Sequence, residues 1–274
     1  MEFELASQVA ERLRAEGFGG AAVAVQTGSG IPAPVLEEPR TVPWTEVEGM
    51  PRATAPGHRG AFHFGRVQGV PVLVLDGRLH LYEGHAPAEV VRPVRAVGLL
   101  GVRRLILTNA SGGVRPSFRA GDLVRIVDHL NLLGVDPLAG PHDPRLGDRF
   151  VVLAGRSYDL GLAALAEEAA RDLGLELHTG VYAGVHGPTF ETPAQVRMLR
   201  TLGADLVGMS TVPEVTAAAQ LGMAVLALSL VANPAGVVQA GMSAEEEVLR
   251  TGRERGVKLR ELVAAVAARC PLAP

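Results

Sequence analysis

One lysine, Lys258, is all the chain has in 274 residues, and it sits inside a charged helical pattern near the C-terminus. A Walker-type phosphate loop, a pyridoxal Schiff base and a lysine general base therefore all lack their residue. One cysteine, Cys270, leaves no partner for an internal disulfide and suits a reducing compartment. Positive charge is not in excess: 26 Lys and Arg against 29 Asp and Glu give a net charge of -3. No basic surface for nucleic acid follows from that balance. No long apolar run is uninterrupted either. The most apolar window, Val215 to Ala232, contains Thr216, Gln220, Gly222 and Ser229 and divides at Leu221-Gly222, so it reads as helix, turn and buried strand rather than a membrane span. The N-terminal MEFELASQVAERLRAEGF is charged and amphipathic, without the apolar core of a signal peptide. The expectation is a soluble, cytoplasmic protein with no membrane and no nucleic-acid partner.

What is present is 47% hydrophobic residues, enough to fill a sizeable core, arranged as short apolar runs alternating with longer helical ones. The runs predict strands at 22–26, 70–75, 105–108, 123–127, 181–185, 205–207 and 224–230. Helices are predicted at 5–15, 88–100, 160–173, 193–202, 214–221 and 244–268. This order implies a single α/β domain over residues 1–274, with a central mixed, largely parallel β-sheet flanked by helices. Ile31 to Pro56 carries six prolines and reads as a long irregular loop. Several strands end in polar, glycine-containing segments, and ligands in α/β sheets gather outside the carboxyl ends of strands.

Gly28-Ser29-Gly30, with Ala33, formally satisfies the dinucleotide fingerprint G-x-G-x-x-A. That fingerprint must open a helix, and Pro32 and Pro34 break one at once. An anion-binding turn, with Ser29 offering a hydroxyl, or a plain tight turn remains. In Arg78-Leu79-His80-Leu81-Tyr82, three functional side chains alternate with leucines and so point to one face of an extended segment. Arg78 supplies a planar, permanently charged fork for phosphate, and His80 can donate beside it. His80, Glu83 and His85 are close enough in sequence to raise a metal site, but their spacing fits no standard zinc pattern, and no metal is expected.

Asn109-Ala110-Ser111-Gly112-Gly113 closes a β run with small residues whose backbone N–H groups can face a ligand. At the strand-to-helix joint Gly208 to Glu214, Ser210 or Thr211 can cap the helix, or a phosphate can take the same entrance. Asn233 ends the most buried strand, and its amide suits a heterocycle edge or a turn. In VHGPTFETPAQ, Thr192 and Gln195 form a capping box around Pro193. Glu191, just before it, either complements the helix dipole or meets a ligand, with Phe190 beside it.

Together these segments resemble the trimeric, low-molecular-mass purine nucleoside phosphorylases of the nucleoside phosphorylase and methylthioadenosine phosphorylase superfamily. GPTFET, VGMSTVPE, GRLHLYEGH and TNASGG carry the resemblance, in family order and at family-like spacing, and it runs from about Ala22 to Leu249. It implies phosphorolysis of inosine, guanosine and their deoxy forms to free purine and (deoxy)ribose 1-phosphate, a salvage reaction. No cofactor is implied, inorganic phosphate being the co-substrate. The implied phosphate site is Ser29, Arg78, His80, the backbone N–H of Ala110 and Ser210, with His58 of PGHRG closing over it. Tyr82 and Met209 would lie against the ribose, and Phe190 on the base, whose edge Glu191 and Asn233 would read. His80, Glu191 and Asn233 form the implied catalytic set. Phe150 of GDRF resembles the aromatic lent to the neighbouring subunit's ribose pocket in a homotrimer.

The chemistry suits these roles. Glycosidic cleavage builds oxocarbenium character on ribose and negative charge on the leaving purine, so phosphate held by Arg78 serves as nucleophile and counter-charge. Asn233 can hydrogen-bond N7 and O6, and Glu191 can accept from the N1–H that inosine and guanosine carry and adenosine lacks. Three positions depart from the family pattern: Ala232 stands where threonine is usual, Pro234 follows Asn233, and Glu245 aligns with a histidine near the 5′-hydroxyl. Glu245 also reads as ordinary first-turn charge beside a Ser243–Glu246 capping box. The alternative on the same fold is a methylthioadenosine or adenosine phosphorylase, which resembles the pattern with aspartate at the position of Asn233. A non-catalytic nucleoside-binding protein would have no need for the phosphate set, and a metal-dependent hydrolase would use His80, Glu83 and His85.

Overall fold

The apolar runs pair into one nine-stranded sheet in a computed structural model that describes residues 2–237, 241 and 243–271. The strands are β1 (Val23–Gln26), β2 (Glu37–Pro43), β3 (Ala61–Val67), β4 (Val70–Asp76), β5 (Arg104–Gly113), β6 (Leu123–Leu132), β7 (Leu177–Val185), β8 (Leu206–Gly208) and β9 (Ala224–Pro234). The helices are α1 (Glu2–Ala15), α2 (Pro87–Val90), α3 (Arg92–Leu99), α4 (Leu160–Asp172), α5 (Pro193–Thr201), α6 (Val212–Gln220) and α7 (Ala244–Arg269). Sheet order is β2-β3-β4-β1-β5-β8-β7-β6-β9, and β9 also pairs with β5, so β5, β8, β7, β6 and β9 close into a ring. β1–β4, β1–β5, β5–β9, β6–β7 and β7–β8 run parallel; the remaining pairs are antiparallel.

Strand side chains alternate between two cores, which explains runs that are apolar at every position. Ala24, Leu73, Leu75, Leu105, Leu107, Val225 and Ala227 face one core, with Val9 and Leu13 of α1, Val94 and Val97 of α3, and Val215 of α6. Val23, Val25, Val72, Val74, Ile106, Leu226 and Leu228 face the other, with Leu162 and Ala166 of α4 and Leu259, Val263 and Val266 of α7. The layers are thus helices, sheet, helices, as expected of the α/β reading.

Four readings need correction. The proline-rich segment is not wholly irregular: it contains β2, an outermost strand whose pairing with β3 shifts register between Glu37 and Arg40. Pro39 falls at that irregularity, and a strand interior paired on both sides would reject it. β3 itself has no counterpart among the predicted strands. The helix predicted over 88–100 divides at Val91 into α2 and α3, because Pro93 lacks the N–H and fills the space that continuation needs. Finally, the strand predicted over 105–108 runs on through Asn109 to Gly113, the end of β5, kept in the sheet by β9 through a register shift at Ser111/Gly112.

Candidate active site

The ends of β1, β4, β5, β8 and β9 meet the first turns of α7 around a cavity of about 260 Å³. Ser29, Arg78, His80, Tyr82, Ala110, Phe190, Glu191, Met209, Ser210 and Asn233 all line it. Gly28 lets β1 deliver Ser29 there: a Cβ on Gly28 would stand 2.7 Å from the Thr108 carbonyl oxygen and from Asn109 Cα.

At one end the charge is positive and tightly held. Arg78 is 1% exposed; its Nε donates to Glu214 Oε1 at 2.5 Å and its Nη1 to the Thr108 carbonyl at 2.9 Å. Its Nη2 is buried without a partner among the described residues, a donor left over for an anion. His80 Nδ1 pairs with Glu83 Oε1 at 3.0 Å, and Glu83 Oε2 accepts from the N–H groups of Thr54 and Ala55 and the Thr54 hydroxyl. Burial pushes the Glu83 carboxyl up, yet hydrogen bonds from His80 and Thr54 outweigh it and hold it well below the usual range. Glu83 thereby ties the proline-rich loop to His80. That loop carries His58, whose Nε2 lies 3.0 Å from Ser29 Oγ and whose ring centroid is 5.2 Å from that of His80. Burial first, then the charges of His80 and Arg78, pull the His58 ring down to about 3, so it is neutral near pH 7. Arg78, His80 and Tyr82 converge as the alternation predicts, although Tyr82 stands in a 3-10 turn (Leu81–Glu83) and stacks on His80 at 4.6 Å.

Ser210 is held from behind by a buried polar chain. Its hydroxyl lies 3.2 Å from Thr211 Oγ1, which accepts from Asn109 Nδ2 at 2.8 Å; Asn109 Oδ1 accepts from Ser229, which bonds Ser111. Thr211 has φ +75°, a rare conformation for a β-branched residue, and makes no side-chain cap on α6. The capping reading of Ser210 and Thr211 is therefore overturned.

The other end suits a flat polar ring. Thr192 and Gln195 form the capping box of α5, so Glu191 is not needed to start that helix and instead lines the cavity. Burial raises its carboxyl above the ordinary value despite its own backbone hydrogen bond. Phe190 is 42% exposed on the cavity wall. Asn233 is 6% exposed and donates from Nδ2 to Glu247 Oε2 at 3.1 Å.

The family model described as the phosphorylase superfamily matches residues 22–268. The chain belongs to that superfamily. It is 43% identical over 242 residues to purine nucleoside phosphorylase 1 of Bacillus subtilis, covering 88% of this chain and 89% of the relative. It superposes on Schistosoma mansoni purine nucleoside phosphorylase in complex with inosine with a TM-score of 0.91, at 35% identity and 98% coverage of both chains. The same enzyme in complex with adenosine gives a TM-score of 0.90 at 35% identity, again over 98% of each chain.

Two residues singled out from the phosphorylase motifs lie outside the cavity wall. His58 reaches it through Ser29, whereas Phe150 is 87% exposed and borders a separate shallow surface depression with Arg149 and Val151. Three residues at or behind the cavity, Glu214, Asn109 and Glu247, were not singled out in the sequence. Glu214 sits in the quoted VGMSTVPE, and a lone acid among the apolar residues of α6 was its available signal. Glu245, read both as the counterpart of a histidine near the 5′-hydroxyl and as ordinary first-turn charge, lines the cavity. Asn109 and Glu247 carried no signal of their own. Glu83 serves the loop and His80; among the described residues no group of three or more His, Cys, Asp or Glu could hold a metal ion.

Proposed function

We propose that this chain is a purine nucleoside phosphorylase that acts on 6-oxopurine nucleosides. One observation carries the reading: a single cavity is lined both by Arg78, whose buried Nη2 has no partner among the described residues, and by a carboxylate with an amide, Glu191 and Asn233. An anion held by Arg78, Ser29, His80 and Ser210 is the nucleophile toward the anomeric carbon of a nucleoside whose base meets Glu191 and Asn233 in the same cavity. Its charge stabilises the oxocarbenium character that develops as the bond to the base breaks. As the bond to ribose forms, hydrogen phosphate gives up its proton and the leaving base takes one up at N7; Asn233 accepts from that N7–H, and Glu191 accepts from N1–H. No resident cofactor is needed; inorganic phosphate is the co-substrate, and the products are free base and (deoxy)ribose 1-phosphate.

Two structural readings go with it. Phe150, exposed and apolar on its own subunit, completes the ribose pocket of a neighbour in a homotrimer, so Phe150→Ala raises the nucleoside KM while light scattering still finds a trimer. A monomer with full activity refutes this. The single, buried Cys270 and the absence, among the described residues, of a helix long and apolar enough to cross a membrane fit a cytoplasmic setting. The second substrate reading is an adenosine or methylthioadenosine phosphorylase, favoured by the relative solved with adenosine. Base release from inosine, guanosine, adenosine and methylthioadenosine, each with and without phosphate, separates them. Phosphate-dependent release from inosine and guanosine is the expected result. Comparable release from adenosine refutes the 6-oxopurine assignment, and release without phosphate refutes phosphorolysis.

A further inference from the structure

We propose that Glu247 is a positioning and specificity-determining residue, which fixes the amide of Asn233 in the orientation that fits a 6-oxopurine and opposes a 6-aminopurine. The inference rests on the assignment of the cavity to a purine nucleoside. Its starting point is the bond from Asn233 Nδ2 to Glu247 Oε2 at 3.1 Å, the one bond that the Asn233 side chain makes among the described residues. Glu247 is the fourth residue of α7, and its own N–H is bonded to the carbonyl of the capping Ser243. It therefore belongs to a helix, not to a loop.

That helix is seated firmly against the strand carrying Asn233. Thr251 Oγ1 donates to the carbonyl of Ala232, one residue before Asn233, at 3.3 Å. Five residues beyond Glu247, Gly252 packs so closely on the Ser29-Gly30 turn that an added Cβ would stand 3.0 Å from the Ser29 carbonyl oxygen. Both ends of the Asn233–Glu247 bond are thus anchored by backbone.

An asparagine amide is nearly the same shape after a half-turn, so an unrestrained one can present either its oxygen or its nitrogen to a given atom. An ionised carboxylate only accepts. Facing Glu247, the nitrogen gains a charge-assisted hydrogen bond, and the oxygen would set two acceptors against each other. With Nδ2 held there, one N–H goes to Glu247 and the second is free for the base, while Oδ1 is free to accept. A 6-oxopurine needs that combination: a donor for O6 and an acceptor for the proton that N7 gains as the base leaves. A 6-aminopurine needs an acceptor opposite its amino group, which requires the half-turn and brings Oδ1 against Glu247. Glu247 therefore discriminates at position 6 without touching the substrate, separately from Glu191 at position 1.

The test compares the full chain with Glu247→Gln and Glu247→Asp, measuring kcat/KM for inosine and for adenosine at saturating phosphate, together with the KM for phosphate. Glutamine can donate or accept, so the half-turn becomes permitted. The expected result is a fall of about tenfold or more in the inosine-to-adenosine ratio for Glu247→Gln. Glu247→Asp should retain most of the ratio, and the phosphate KM should stay within about twofold. Glu247→Met, which removes the acceptor at similar length, gives the same readout if the amide variant folds poorly. A merely structural role would lower both substrates by one factor and leave the ratio unchanged, and that result overturns the proposal. If the unaltered chain releases no base from any nucleoside with phosphate, the phosphorylase reading itself fails; if it does and only the ratio stays fixed, only the role of Glu247 is lost.

Discussion

Replacing Glu214 by alanine strands the charge of Arg78. The carboxylate is 0% exposed and the guanidinium 1% exposed, joined at 2.5 Å, so neither has water to fall back on. With Glu214 removed, the guanidinium keeps, among the described residues, only the Thr108 carbonyl at 2.9 Å. Removing one partner of a buried pair costs about 3–5 kcal/mol, because the surviving charge stays desolvated and unpaired. For a chain of this length the unfolding entropy is about 0.6 kcal/mol/K, so the midpoint should fall by roughly 5–9 °C. Thermal unfolding in phosphate-free buffer reads this directly. Phosphate supplies the missing anion, so adding it should raise the midpoint of Glu214→Ala by more than it raises that of the unaltered chain. Glu214→Gln, which retains an acceptor without the charge, should fall between them. A double-mutant cycle with Arg78→Ala should give a coupling of about 2 kcal/mol or more. A loss under about 1 kcal/mol, or an equal response to phosphate in both proteins, would refute the reasoning.

Three further outcomes follow from the site. Burial raises the Glu191 carboxyl above its ordinary value, so it takes up its proton earlier as pH falls. The KM for inosine should therefore climb at a higher pH than an exposed glutamate would dictate, and Glu191→Gln should raise it by about tenfold or more at neutral pH and flatten its acid limb. Glu83→Ala releases both His80 and the Thr54–Ala55 loop, so the phosphate KM should rise by about tenfold with the nucleoside KM far less changed; an equal rise in both would contradict the assignment. The His58 ring, at about 3 when folded, regains its ordinary value of 6.5 when the chain unfolds. The unfolded state therefore binds a proton below pH 6.5 that the folded state refuses, and stability drops as pH falls. The midpoint lost between pH 7 and pH 4 in phosphate-free buffer should be smaller in His58→Asn, and an unchanged loss would refute this.

The strands legible in sequence were those buried on both faces, where every position from Val70 to Leu75 or Ala224 to Leu230 is apolar or small. β3 was not legible because His63, Gly65 and Arg66 interrupt its apolar residues, and β2 because Pro39 and charges mask an extended edge. Among site residues, those in contiguous motifs converge on the cavity: Arg78 and His80 from one segment, Phe190 and Glu191 from another. Their supports were out of reach. Glu214 meets Arg78 across 136 residues of chain, and Asn109 meets Ser229 across 120, pairings set by sheet order and not by local pattern.

The ring closed by β5 and β9, with β1 and β4 each paired on both sides beside it, leaves the strands that bear the cavity without a free border, so the backbone there offers no template for a foreign strand. Such a border survives at β2, on the far side of the sheet, and its composition is unwelcoming: Pro39 and Pro43 have no N–H to donate, and Glu37, Glu38 and Arg40 are exposed charges. The prolines that made this segment look shapeless thus guard against strand-by-strand self-association. Replacing Pro39 and Glu38 with β-branched residues would convert a blunt border into a sticky one, at a distance from the chemistry.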